Sequence, residues 1–105
     1  MEKHSIVTLD DLHRVLVPQL VKESFGWDTN TPLTFTPNFN DGMILVSQST
    51  EPNPVYPCGL DDHNRLTIPS DMAQKLGMEP GCTIAITPSN YSHALVLVQA
   101  AKKPA

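Results

Sequence analysis

Sliding the sequence past itself by 51 positions lays residues 7–48 over 58–99 without a gap. Nine of those 42 pairs are identical: Leu9/Leu60, Asp10/Asp61, Asp11/Asp62, Arg14/Arg65, Pro18/Pro69, Gly26/Gly77, Thr36/Thr87, Pro37/Pro88 and Gln48/Gln99. Chance alone would supply about two or three, so an internal duplication is the better account, and it restricts the fold to one that stacks or interlocks two copies of a small unit. The matches fall where backbone geometry is demanding, at prolines, glycines and loop aspartates.

Each copy reads as ββαββ. A short strand, Ser5 to Leu9, meets the polar cluster Asp10-Asp11-Leu12-His13 and is followed by a second strand, Arg14 to Val17, mirrored by Arg65 to Ile68. His13 and Asn64 hold matching loop positions, and both residue types tolerate positive φ in a tight hairpin. Pro18 and Pro69 then stand where proline opens a helix at its first position. Gly26 and Gly77 follow eight residues later, where a C′ glycine ends one. Val21/Phe25 and Met72/Leu76 give each two-turn helix one apolar face. Pro80-Gly81 fits the centre of a type II turn, with Asn30 expected in the glycine's place in the first copy. Third strands run from Leu33 to Thr36 and from Ile84 to Thr87, the first alternating strictly as a half-buried strand should. Fourth strands run from Met43 to Val46 and from Ala94 to Val98, the first preceded by the hairpin signal Asp41-Gly42.

One such unit is too small to bury its own apolar faces. The expectation is therefore one mostly β domain over residues 1–105 with two short helices. Repeat 1 covers about 4–48, a proline-rich connector 49–57, and repeat 2 about 55–99, joined about a pseudo-two-fold axis as a closed swapped-hairpin barrel. Composition agrees with a globular chain: 40% hydrophobic and 17% charged residues. No apolar run approaches the ~20 residues of a membrane span, and residues 1–5 lack a signal peptide's apolar core. A cytoplasmic protein is expected. Cys58 and Cys82 show no metal spacing and read as idle thiols.

The string Leu-Asp-Asp-x-x-Arg-hydrophobic-x-hydrophobic-Pro, followed by a short helix, glycine, a turn and a hairpin, occurs once per copy and covers nearly the whole chain. It resembles the AbrB-like swapped-hairpin superfamily (the SpoVT-AbrB type of domain). The Asp10-to-Arg14 and Asp61-to-Arg65 spacing looks like the MraZ branch, which also carries two units per chain. That family has glycine immediately before the arginine, where this sequence has His13 and Asn64, and its units are longer. The resemblance implies interlocked hairpins in a bacterial DNA-binding protein, with arginines near the first hairpins presented to DNA.

On this basis Arg14, Arg65, His13 and Asn64 are the candidate DNA-contacting residues, since arginine's fork suits phosphates and guanine edges. The residues themselves carry a second reading. Asp10 and Arg14, like Asp61 and Arg65, bracket a three-residue loop and are placed to form ion pairs across the hairpin. The charge balance favours that second reading. The formal net charge is −4, and residues 1–50 hold three Lys/Arg against six Asp/Glu, residues 51–105 four against five. Lys3, Lys22, Lys75, Lys102 and Lys103 read as scattered solvated surface. His4, His13, His63 and His93 have no histidine partners in the other copy, so no duplicated metal set exists. Trp27, aligned with Met78, reads as packing.

No catalytic constellation is present, and no enzyme activity, cofactor, metal or small-molecule substrate is expected. Asp10/Asp11 and Asp61/Asp62 are neighbours in sequence, and alternation would turn them to opposite sides. The leading expectation is a DNA-binding transcriptional regulator of weak affinity, its two arginines serving two related half-sites. The alternatives are an acidic scaffold or interaction module of the same fold, and an antitoxin-like partner protein. The last ranks behind because only six residues follow Gln99. Assembly into a higher homo-oligomer stays open.

Overall fold

A computed structural model describes residues 5–89 and 93–100. Ten elements run in the order β1 (Ser5–Thr8), β2 (Arg14–Leu16), α1 (Gln19–Phe25), β3 (Leu33–Asn38), β4 (Met43–Gln48), β5 (Pro57–Cys58), β6 (Arg65–Thr67), α2 (Ser70–Lys75), β7 (Thr83–Ser89) and β8 (Ala94–Gln99). The fold is mostly β with two short helices. Six antiparallel strands form one sheet in the order β1-β7-β8-β4-β3-β5, and β2 and β6 form a separate two-stranded ribbon. The sheet is open, with β1 and β5 as its edges, so the closed barrel expected from the sequence is not made by the ladder. β5 has only two residues, and Pro57 has no N–H with which to extend it.

The order reads the same from either end if β1 is exchanged with β5, β3 with β7 and β4 with β8. The registers follow the same exchange. Val7↔Ile84 and Ile6↔Ala85 in one ladder become Cys58↔Leu33 and Pro57↔Thr34 in the other when 51 is added to 6 and 7 and subtracted from 84 and 85. Two pairings map onto themselves: Val15 faces Leu66 and Leu45 faces Val96, and each pair is 51 residues apart.

One buried cluster joins the two halves, and matched positions build most of it: Leu9/Leu60, Val15/Leu66, Val17/Ile68, Trp27/Met78, Leu33/Ile84, Phe35/Ile86, Ile44/Leu95 and Val46/Leu97. The helices break the match. α2 sinks Met72 and Ala73 into the core, whereas α1 has no buried residue. Lys22 stands at Ala73's position and cannot be buried without stranding its charge, so α1 packs only through half-buried Val21 and Phe25.

Both prolines sit at the N-cap, one position before the first helical residue, with extended ψ values of 141° and 140°. Their carbonyls still accept the first helical bonds, from Lys22 N and Ala73 N. Gly26 and Gly77 both adopt φ +71°, as a left-handed stop requires. Beyond them Trp27 N donates to Lys22 O and Met78 N to Ala73 O, the six-to-one bond of a Schellman ending. That ending turns Trp27 and Met78 into the core.

The turn before β7 has Gly81 at φ +92° and Cys82 N bonded to Glu79 O, as a Pro-Gly turn should. Its counterpart differs from the expectation, since Asn30 is not at positive φ. There Asp28 Oδ1 accepts from Asn30 N and the Thr31 hydroxyl, so a side-chain cap replaces the glycine.

Candidate nucleic-acid interface

The geometry at the start of β2 is dictated by one aspartate. Asp10 Oδ1 accepts the backbone N–H of Leu12 (2.9 Å) and of Arg14 (2.8 Å), while Asp10 Oδ2 accepts Arg14 Nε at 2.7 Å. The second hairpin repeats it. Asp61 Oδ1 takes His63 N (2.8 Å) and Arg65 N (2.9 Å), and Oδ2 takes Arg65 Nε at 3.1 Å. This tight loop needs one left-handed residue before the arginine. His13 at φ +61° and Asn64 at φ +63° fill it without a glycine.

Partial desolvation pushes the Asp10 carboxyl up. The N–H of Arg14, its side chain, the N–H of Leu12 and the nearby guanidinium charge together outweigh that push and hold its pKa below the ordinary aspartate value. Asp61 is held down in the same way, by Arg65, His63 and the Arg65 charge against desolvation. Each carboxylate is therefore charged at neutral pH, and each arginine is committed through Nε.

The two loops bond to one another's strands. Ile68 N donates to His13 O, and Val17 N donates to Asn64 O, both at 2.8 Å. Between these bonds the ribbon pairs Arg14 with Thr67 and Leu16 with Arg65. Val15 and Leu66 face inward and are buried, so alternation puts Arg14, Leu16, Arg65 and Thr67 on the outward face. Arg14 and Arg65 are diagonal neighbours there, roughly 7–8 Å apart. Both contacts would fall within one short groove segment rather than on two half-sites a helical turn apart.

All four candidate residues thus lie on this ribbon or at its ends. Lys22 Nζ joins them, donating to Asn64 Oδ1 at 3.1 Å across the halves. Lys22, expected as scattered surface, thus bonds a residue 42 positions away, which nothing local in the chain signals. Leu12 and Leu16, 62% and 51% exposed, also border the site and were not among the expected residues. The alternation of Arg14-Val15-Leu16 was the available signal for the second of these.

The remaining chemistry-bearing residues are dispersed. Lys75 Nζ lies 5.5 Å from the centroid of the Phe39 ring. His93 contacts the Phe25 ring, which in turn packs on Trp27. No disulfide joins Cys58 and Cys82, and burial pushes the Cys58 thiol up to about 12. Lys3, His4, Lys102 and Lys103 lie outside the described residues. Among the described residues no helix is long and apolar enough to cross a membrane, and no three His, Cys, Asp or Glu side chains are grouped to hold a metal ion.

No protein-family model matches the chain, and no curated protein matches it. Among solved structures it is similar to the solution structure of PHS018 from Pyrococcus horikoshii. The two are 16% identical with a TM-score of 0.54 over 97% of this chain and 94% of that one. At that identity the likeness concerns the fold.

Proposed function

We propose that the chain is a cytoplasmic DNA-binding regulator of AbrB-like type. Its two copies act as one domain about a local two-fold axis, in the swapped-hairpin manner, and present the β2–β6 ribbon to a DNA groove. The observation that carries this reading is the self-mapping Val15↔Leu66 pair, which puts Arg14 and Arg65 at matching positions on one outward face. A two-stranded antiparallel ribbon fits the width of a major groove, and its outward side chains then meet base edges and flanking phosphates.

The acidic balance supports a second reading, a protein-interaction module that retains the fold. Around the ribbon stand four carboxylates, Asp10, Asp11, Asp61 and Asp62, against Arg14, Arg65 and Lys22, and Asp11 and Asp62 are exposed. Such a field opposes phosphate approach.

Fluorescence anisotropy with mixed genomic duplex fragments at low salt separates the two. Binding by the wild type, lost in a folded Arg14→Ala/Arg65→Ala variant, supports the DNA reading. A folded variant that binds as well as wild type removes the arginine assignment. Absence of wild-type binding across a broad fragment library favours the interaction module.

A further inference from the structure

We infer that the outer face of the six-stranded sheet is a self-association surface, on which a second copy of this chain docks sheet to sheet. Each long strand gives alternate side chains to the core, among them Ile44, Val46, Ile84, Ile86, Leu95 and Leu97. The others turn outward. Helix α2 and the β2–β6 ribbon supply core residues and α1 packs against them, so these elements lie on the inner side of the sheet. On the outer side the registers line up an apolar row across four strands: Ile6 beside Ala85, Ala85 beside Val98, and Val98 beside Met43. Leu45 beside Val96 makes the next row. None of these six belongs to the core cluster or packs on it, and Ile6 at the sheet edge is 55% exposed.

Charge, shape and area select the occupant. Among the described residues no outward position of the sheet carries a charge, whereas a solvated surface carries roughly 25–35% charged residues. At a net charge of −4 two copies repel one another, and on this face they meet without bringing carboxylates together. Ile6 projects at one end of the apolar row. At the other end a hollow of about 530 Å³ lies between Thr36, Phe39, Met43 and Leu45. A two-fold axis along the strands, between β7 and β8, sets Ile6 of each copy against the hollow of the other and Ala85 against Val98, so the face complements itself. The row matched to it by the 51-residue shift lacks this property: Thr34 and Ser47 offer hydroxyls there, and Ala94 has no exposed surface. Strands about 4.8 Å apart and outward rows about 6.8 Å apart give each copy a face of roughly 450 Å². A face-to-face pair then buries on the order of 1,000 Å², the least that specific association needs.

Sedimentation velocity of the full chain over a concentration series, at low and high salt, tests this. The expected result is a monomer–dimer equilibrium with a Kd on the order of tens of micromolar, as suits a face of the smallest specific size. Raising salt should leave the dimer unchanged or strengthen it, because salt screens the repulsion between acidic copies and no ion pair crosses the face. Ile6→Lys, at an exposed edge position, should raise the Kd about tenfold or more while melting near wild type. Met43→Lys, beside the hollow, should act in the same direction, and Leu16→Lys on the ribbon should leave the Kd unchanged. A chain that stays monomeric up to about 1 mM overturns the inference. So does a dimer that survives both Ile6→Lys and Met43→Lys, or one that Leu16→Lys abolishes. The ribbon lies outside this face, so none of these outcomes bears on the DNA-binding reading.

Discussion

Val15 and Leu66 lie opposite one another in the β2–β6 ladder, fully buried, and each is the other's counterpart under the 51-residue shift. The ribbon is therefore where the halves meet on equal terms, and its inward face belongs to a core that both halves fill. Leu66→Ala should lower stability by about 2–5 kcal/mol, as buried leucine truncations do. Because the core is shared, the loss should appear in one cooperative transition. Denaturant melts followed by Trp27 fluorescence and by far-UV circular dichroism check this, and separated transitions would show halves that fold independently.

Gly77 and Pro69 bound the same helix but act differently. A Cβ at Gly77 meets only Gln99 Oε1, at 3.9 Å, so a substitution there suffers from backbone strain rather than a clash. Gly77→Val should cost about 1–2 kcal/mol, the penalty of a branched side chain at left-handed φ. Pro69 mainly restricts the unfolded chain, and Pro69→Ala should cost less than about 1 kcal/mol. Thermal melts of the two variants decide, and equal small losses would contradict the helix-stop assignment.

The loop aspartates set an acid limit on stability. Asp10 and Asp61 have pKa values below the ordinary aspartate value in the folded chain. Their contribution is fully present above the unfolded pKa of about 3.9 and is lost as pH falls through the lower folded values. Melting temperature should therefore decline on acidification below about pH 5. An Asp10→Asn/Asp61→Asn variant should show a shallower decline. The asparagine oxygen can still accept the two backbone N–H groups, so Asp10→Ala should be the more destabilising change at neutral pH. Identical pH profiles for the asparagine variant and wild type would contradict the ion-pair geometry.

Asp11 and Asp62 are exposed beside the arginine hairpins, and no hydrogen bond of theirs sustains the loop. Asp11→Asn/Asp62→Asn should leave the melting temperature nearly unchanged and tighten DNA binding several-fold, because it removes charge that repels phosphate. Unchanged or weaker binding would argue that the ribbon is not the DNA-facing surface.

Local features of the fold were legible because turns and helix ends need particular residues. The positive-φ positions at His13, Asn64, Gly26, Gly77 and Gly81, and the helix starts after Pro18 and Pro69, could be read from the chain. Residue pattern alone ends the third strands at Thr36 and Thr87, short of their ends at Asn38 and Ser89. In the structure they continue through Pro37 and Pro88, beyond the described pairs of the outer strands. β5 pairs only with Leu33 and Thr34, and β1 only with Thr83 to Ile86. Among the described residues no outer-strand residue is paired opposite either proline, so the missing N–H removes no ladder bond described there. The crossing of β1 to β7 was not legible, since apolar alternation fixes which side of a strand is buried but not which distant strand lies beside it. Within the candidate site the Asp–Arg pairs followed from loop length. The bond from Lys22 to Asn64 depends on the packing of the two halves, which no local pattern encodes.

The salt dependence of DNA binding tests the central claim most directly. Only seven lysines and arginines are present, two of them tied to aspartates on the ribbon. The slope of log K against log salt should therefore be shallow, on the order of −2 to −4, against about −10 for a strongly basic binder. In the folded Arg14→Ala/Arg65→Ala variant it should flatten by up to about 1.8, the share of two phosphate contacts. A wild type that binds no duplex even at low salt, or a slope that the double variant leaves unchanged, would contradict a ribbon that meets DNA through these two arginines.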